Sequence, residues 1–205
     1  MDVGEPVSSG SAINRWYHPA VVILNWRQRM DRDRPLRPLP NTYWVIPGRL
    51  LAGEYPHRAD DAYARARLDL LCQAGVDYFV DLTQDGELPG YRHLLPAHVQ
   101  HVRSGIADTW VPESAAQMEQ ILSDIRAALA LGRCVYVHCR AGIGRTGMVV
   151  GCYLAEEAGN GRAALRLLNR LWRESERSKT WRKVPQTVQQ ADYIRRWPAL
   201  GKTVR

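Results

Sequence analysis

From residue 41 onward the apolar positions follow two rhythms: short runs that favour strands, and longer stretches with a period near 3.6. YWVIPGRLLAGEYP reads as two short strands around a turn at Pro47-Gly48. ADDAYARARLDLLCQAG carries apolar residues at helical spacing and stops at Gly75, a C-terminal glycine. DYFVDLT and HVQHVRSGI are two further strands. ESAAQMEQILSDIRAALALG is a helix that opens with Ser114 as its cap and ends at Gly132. CVYVH shows no polar alternation, as expected of a strand buried on both faces. RTGMVVGCYLAEEAG, GRAALRLLNRLWRES and VPQTVQQADYIRRW read as three more helices. Helices alternating with short apolar strands predict an α/β domain over residues 41–200. Its centre is a mostly parallel sheet of four or five strands with helices on both faces.

Residues 1–40 break this pattern. NRWYHPAVVILNW is aromatic and apolar enough to pack as a short helix against the main domain. RQRMDRDRPLRPLPN alternates charges and ends in prolines, which reads as a loop. The first forty residues are therefore expected to form an arm, partly packed on the domain.

Composition narrows the partners more than the fold. The length of 205 residues suits one sizeable domain and is marginal for two. Lys and Arg number 28 against 21 Asp and Glu, a net charge of +7 with a pI near 9.5. That balance favours anionic partners: phosphates, acidic proteins, an acidic lipid surface or nucleic acid. Much of the excess is scattered along helices as a solvated face, and no nucleic-acid motif accompanies it, so no specific nucleic acid is expected. Cys72, Cys134, Cys139 and Cys152 have no framework spacing and no CxxC pair, which suggests neither a disulfide scaffold nor a zinc site. MDVGEPVSSGSA is no secretory signal, and AVVIL at 20–24 is too short to span a bilayer. A reduced cytoplasm is the default location.

One segment carries chemistry. VYVHCRAGIGRTG, residues 135–147, joins the buried strand to a helix through a glycine-rich turn. Spacing alone is weak, because Cys134 and Arg140 also form C-x5-R. The residues between those two are strand-forming and cannot wrap a ligand. Between Cys139 and Arg145 lie Arg140, Ala141, Gly142, Ile143 and Gly144, and the two glycines permit turns that other residues resist. Backbone N–H groups curling into a helix N-terminus make an anion cradle. Arg145 adds a bidentate fork for two oxygens of a phosphate. Cysteines at such positions ionise well below the ordinary value of ~8.5. One turn thus binds the anion and arms the nucleophile.

HCRAGIGRTG resembles the signature of the cysteine-dependent protein tyrosine phosphatases, HC-x5-R-[ST]-G. It is especially close to the HCxAGIGRTG of the tyrosine-specific members, and the resemblance covers residues 41–197. It implies a metal-independent and cofactor-free phosphatase of phosphotyrosine, with phosphoserine and phosphothreonine as further substrates. By that resemblance Cys139 attacks phosphorus and forms a phosphocysteine, while Arg145 and the amides of residues 140–145 hold the equatorial oxygens. Thr146 donates its hydroxyl to the departing sulfur, and His138 orders the loop. The family acid is an aspartate some thirty residues before the cysteine, after a strand. Asp108 in GIADTWVPES stands 31 positions upstream, with Trp110 beside it as cover. Asp81 and Glu113 are the rivals, read instead as a loop contact and a first-turn helix residue. VPQTVQQ is similar to the glutamine loop of the tyrosine-specific enzymes, making Gln186 and Gln190 candidates for holding water. A glutamine-rich first helical turn is the plainer reading.

There are departures. The early substrate-stacking tyrosine of the large tyrosine-specific enzymes has no match, and Tyr91, Tyr43 and Trp110 stand as candidates for its work. Arg140 replaces a small residue, as in the smaller dual-specificity or kinase-associated phosphatases, and adds charge at the rim. Ala141 and Ile143 stand where the family's lipid phosphatases carry lysines, which weighs against a phosphoinositide substrate. Cys72 could protect Cys139 as a redox partner. Competing readings are a rhodanese-like sulfur transferase, whose loop is one residue shorter, and a non-catalytic phosphoprotein-binding module.

Overall fold

The computed structural model describes residues 35–204. The short helix expected within residues 1–34 lies outside the described residues. Among those described, no helix is long and apolar enough to cross a membrane.

The first two strands, β1 (Thr42–Ile46) and β2 (Leu50–Glu54), form the hairpin expected around Pro47-Gly48. Gly48 takes φ +67°, which the tight connection requires. Helix α1 (Asp61–Gln73) starts where Asp60 accepts a hydrogen bond from the Tyr63 N–H. It ends just before Gly75 at φ +94°. Strand β3 (Tyr78–Asp81) and strand β4 (Gln100–Arg103) follow, then helix α2 (Ala115–Ala130), capped by Ser114. Strand β5 (Val135–Cys139) feeds helix α3 (Gly144–Ala158), with α4 (Gly161–Trp172) and α5 (Val188–Val204) after it.

The sheet has five strands in the order β1-β2-β5-β3-β4. Only the β1–β2 pair is antiparallel. All five residues of β5 are buried, because it lies in the middle with helices on both faces. On one face Trp44, Leu51, Phe79 and Tyr136 pack with Ala64, Leu68 and Leu71 of α1. The other face is covered by α3, which α2, α4 and α5 surround. Parallel strands all deliver their C-terminal ends to one edge of the sheet. There Glu54 lies beside Cys139, and Asp81 beside His138. That edge is where an open α/β sheet places a ligand.

Two glycines set the distance between helices. A Cβ on Gly151 of α3 would lie 2.3 Å from Ile194 Cδ1 of α5. One on Gly161 of α4 would lie 2.3 Å from the Ile194 carbonyl oxygen. At Gly161 the neighbouring atoms are backbone, so there α5 sits closer to α4 than any side chain would allow, whereas at Gly151 the contact is with the Ile194 side chain.

Candidate active site

The central strand ends on Cys139, whose residue is 3% exposed, and the chain turns at once. Gly142 holds φ +73°, and a Cβ there would lie 2.6 Å from the Gly53 carbonyl carbon. The turn can press against β2 only because that position is glycine. Helix α3 then begins at Gly144. Helices α1, α2 and α4 use side-chain caps from Asp60, Ser114 and Asn160. Helix α3 has none: its N-cap is Ile143, which makes no side-chain cap hydrogen bond. Its first N–H groups are left for an anion placed before Cys139.

Arg145 lies one turn into the cradle, with a wholly buried side chain. Its Nη1 donates to Glu87 Oε2 at 2.7 Å and to the Ile106 carbonyl at 3.0 Å. Its Nη2 donates to Glu87 Oε1 at 2.8 Å and lies 3.1 Å from Asp108 Oδ1. Burial alone would lower the Arg145 pKa, but Glu87, Cys139 and Asp108 outweigh it and raise it. The hydrogen bonds from Arg145 in turn hold the Glu87 carboxyl below its ordinary range. The remaining nitrogen, Nε, is buried without a hydrogen-bond partner. A buried donor left unpaired costs about 1–3 kcal/mol, and an oxyanion in the cradle would remove that cost.

Asp108 reaches this arginine from the loop after β4, and half of its side chain is exposed. That loop is held from two sides. The Ile106 N–H donates to the Leu82 carbonyl, and Arg145 grips the Ile106 carbonyl. Thr109 adopts φ +67°, an unfavourable value for a β-branched residue. Its N–H donates to Asp108 Oδ1 at 3.0 Å. The Thr187 hydroxyl donates to the Thr109 carbonyl at 3.4 Å, and Gln190 Nε2 donates to the Trp110 carbonyl at 3.0 Å.

The two glutamines reach the cradle, yet differ in their freedom. Their Oε1 atoms would each lie 3.1 Å from a Cβ built on Gly144. Gln190 also closes a capping box on α5. The Thr187 N–H donates to its Oε1 at 3.2 Å, while its own N–H donates to the Thr187 hydroxyl. Both ends of its amide are thus engaged, so the plainer reading of a helical first turn holds for Gln190 alongside its nearness to the cradle. Gln186 lies before the helix and is the freer of the two.

Beneath the turn lies a buried polar chain. The His138 Nε2 is hydrogen-bonded with the Tyr91 hydroxyl at 2.5 Å, while Nδ1 lies 4.0 Å from Asp81 Oδ1, beyond hydrogen-bond reach. Burial pushes the His138 pKa down to about 4, against the opposing pull of Asp81. Burial would raise the Asp81 carboxyl, but His101, His138 and Thr83 overcome it and hold it far below its usual range. Asp81 also accepts from Arg103 Nε and Nη2 at 3.1 and 3.0 Å. It is therefore a fixed loop contact and no rival acid, as its sequence position suggested.

Several expectations need correction. The Thr146 hydroxyl donates to the Gly53 carbonyl at 3.5 Å, and no hydrogen bond to the Cys139 sulfur is present. Pairing of β2 with β5 brings Gly53 opposite His138, which puts that carbonyl within reach. Trp110 does not shield Asp108, being 68% exposed. Tyr43 and Tyr91 are buried in the core and cannot stack on a substrate, so Trp110 alone survives of the three candidates. All four cysteines are free, and Cys72 lies in the last turn of α1, at the end of the sheet where β3 begins. Tyr78 pairs with Val135, four residues before Cys139, and four strand residues span ~13 Å. A disulfide needs Cα atoms closer than ~7 Å, so the two cysteines cannot join without rearrangement. Arg140 does stand at the rim, 56% exposed, with Nε 3.7 Å from Glu87 Oε1.

Glu87 is the residue the sequence concealed. It sits in QDGELPG, an acidic residue in a turn, and nothing local marks it as the partner of an arginine 58 positions on. Gly53 gave a faint signal, a glycine inside a strand, which often marks a close backbone approach.

Cysteine at a strand end, uncapped helix amides and an aspartate shared with the buried arginine define a class: the cysteine-dependent tyrosine and dual-specificity phosphatases. The chain belongs to the family described as Swiss Army Knife protein, DSP-PTPase phosphatase domain (PTP-SAK), whose model matches residues 39–192. It is similar to Putative tyrosine phosphatase 067L of Invertebrate iridescent virus 3, with 34% identity over 87 residues. That match covers 40% of this chain and 35% of the viral protein, so the chain spans only about a third of that relative. Among solved structures, Tk-PTP in the active form has a TM-score of 0.62 at 24% identity, covering 78% of this chain and 97% of that one. PTPMT1 in complex with PI(5)P has a TM-score of 0.59 at 18% identity, covering 80% of this chain and 99% of that one. At those identities the likeness is one of fold.

Proposed function

We propose that the chain hydrolyses phosphomonoesters on proteins, with phosphotyrosine as the main substrate and phosphoserine or phosphothreonine as lesser ones. The observation that carries this reading is the buried, unpaired Nε of Arg145 beside uncapped amides and Cys139. In the first step the Cys139 sulfur attacks phosphorus; the S–P bond forms as the P–O bond to the tyrosyl oxygen breaks. Asp108 gives its proton to that oxygen, which leaves as a phenol. Arg145 and the amides of Arg140, Ala141, Gly142, Ile143 and Gly144 hold the three equatorial oxygens throughout. In the second step a water held by Gln186 attacks phosphorus, and Asp108 takes its proton. The S–P bond breaks, and inorganic phosphate leaves. His138 acts only by holding the strand end, through Tyr91 and Asp81. The buried thiol calls for a reducing compartment, and a cytoplasmic setting supplies one.

Phosphotyrosine is favoured over an inositol headgroup by the absence of lysine within the turn and by the printed name of the viral relative. The test compares kcat/KM on a phosphotyrosine peptide, a phosphoserine peptide and an inositol phosphate. Cys139→Ser should abolish turnover, and Asp108→Asn should lower kcat by about 10²-fold or more with little change in KM. Preference for the inositol phosphate would overturn the substrate assignment. A Cys139→Ser protein as active as the wild type would overturn the mechanism.

A further inference from the structure

Helix α4 carries a face that the chemistry above does not use. Its apolar side, with Ala164, Leu168, Leu171 and Trp172, is buried where the helix packs against α3, α5 and β1. Its exposed positions are Arg162, Arg166 and Arg170, so every one of them is arginine. Arg173, just past the last residue of the helix, is exposed too and continues the row. Steps of four, four and three residues keep all four on one side of the helix, along about 16 Å. Charge that looks scattered along the sequence is gathered by the fold into a line.

This line is uncompensated. No acid stands between Asn160 and Arg173, and Glu174 after it is half-buried. Among the described residues none of the four forms an ion pair. Arginines elsewhere do find carboxylates: Arg58, Arg67 and Arg177 all donate to the buried Glu54, and Arg126 meets Glu119 and Glu156. Like charges four apart repel across a helix surface, so an external anion along the row would relieve a strain the free protein carries. The charge comes from the side chains alone, because Asn160 already accepts from the N–H groups of Arg162 and Ala163.

Where the row begins there is a groove of about 580 Å³. Arg162, Arg195 and Arg196 line it together with the apolar Pro198, Ala199 and Leu200. Arg195 is taken by Asp192. Arg162 and Arg196 have no such partner among the described residues.

These surroundings favour one class of anion. A protein interface has an apolar centre depleted of charge, and here every exposed position is charged. Single-stranded nucleic acid is bound on exposed aromatic platforms, whereas Trp172, the aromatic residue of α4, is buried. A duplex groove admits a projecting helix, and α4 is packed on its other sides. A bilayer demands none of these features, since its headgroups move sideways to meet fixed charges. Arginines over apolar side chains, as in the groove, match a headgroup phosphate and the first carbons of its chains.

We propose that α4 is the face by which the chain lies on an anionic membrane surface. Headgroup phosphates align along Arg162, Arg166, Arg170 and Arg173, and one lipid headgroup enters the groove at Arg162 and Arg196. The row runs toward the active-site end of the sheet: Arg177, four residues beyond Arg173, meets Glu54, which lies beside Cys139. It uses no residue of the cradle, so attachment and turnover are separable. The proposal stands whichever phosphomonoester the cradle takes.

The test sediments the whole chain with vesicles of phosphatidylcholine alone, or with about one-third phosphatidylserine, in roughly 0.1 M salt. Each basic residue near an anionic surface is worth about fivefold in affinity, so the wild type should favour the anionic vesicles by about 10²-fold or more. Arg166→Gln combined with Arg170→Gln should weaken that binding about 25-fold and leave turnover of para-nitrophenyl phosphate unchanged. Arg65→Gln combined with Arg92→Gln removes the same charge from exposed positions outside α4, and should change binding by no more than about twofold. Equal binding to both kinds of vesicle, or an equal loss in both double variants, would overturn the proposal. Tighter binding to duplex DNA or to polyglutamate than to the anionic vesicles, weakened by the α4 variant, would assign the row to another partner and overturn the membrane.

Discussion

Removing the carboxylate of Glu87 is the sharpest probe of how the cradle is held. It meets both terminal nitrogens of Arg145 at 2.7 and 2.8 Å, and neither group is much exposed. Breaking one partner of a buried pair costs about 3–5 kcal/mol, because the other charge stays behind uncompensated. Here the arginine keeps the Ile106 carbonyl and Asp108 Oδ1. Asp108 is half exposed, so solvent screens it and it returns about 1 kcal/mol at most. Glu87→Ala should therefore lose about 2–4 kcal/mol of unfolding free energy, and Glu87→Gln, which keeps the volume and one acceptor, about 1–2 kcal/mol. Urea denaturation at pH 7 measures both. A saturating tetrahedral oxyanion such as tungstate restores a charge partner to Arg145, so it should stabilise Glu87→Ala more than the wild type. Should Glu87→Ala unfold at the wild-type midpoint, or gain no more from tungstate, the pair does not hold the cradle and the reasoning fails.

Three further predictions test other parts of the site. Gly142→Ala adds a Cβ 2.6 Å from the Gly53 backbone at φ +73°, so it should cost about 3 kcal/mol or more and abolish turnover; unchanged thermal stability would refute the close approach. Gln190→Ala frees the Trp110 carbonyl and loosens the loop that carries Asp108. Its kcat should fall about tenfold more on an alkyl phosphate than on para-nitrophenyl phosphate, whose leaving group scarcely needs a proton. Gln186→Ala should lack that bias, and an equal bias in both variants counts against the tie. Burial lowers the His138 pKa from 6.5 to about 4, so the unfolded chain binds the extra proton between those values. Stability from this group is full above pH 6.5 and falls with pH by up to about 3 kcal/mol. His138→Gln should flatten that part of the urea-midpoint profile, and a profile that keeps its slope refutes the assignment.

What was legible in the sequence was what neighbours in the chain decide. The unbroken apolar run of β5 and the capped, periodic α2 could be placed without any partner. The turn between Cys139 and Arg145 was readable because its glycines mark their own conformation, and Gly142 indeed takes positive φ. Asp108 and the two glutamines were found at spacings the family resemblance supplied, and they do converge on the turn. Contacts between distant segments were not legible. Glu87 looks like any acid in a turn until β3 and β5 pair and set its loop over Arg145. Glu54 reads as the polar end of a strand and proves to be the anchor of three arginines. Trp110 was misjudged because a tryptophan beside an acid suggests cover, whereas its loop is held by backbone carbonyls and leaves the ring outside.

The bare α-carbons at positions 151 and 161 work as a remote adjustment for the chemistry. Ile194, wedged against both, lies one helical turn, ~6 Å, beyond Gln190. A methyl group added at position 161 meets backbone and would push that whole rod outward, drawing the amide away from the phosphate-binding turn, while one at position 151 must first displace the Ile194 side chain. The molecule could then stay folded yet turn over slowly, its defect seated far from any reacting atom. Heat-sensitive variants of this chain should cluster at that helix crossing, where fit rather than reactivity is what a mutation spoils.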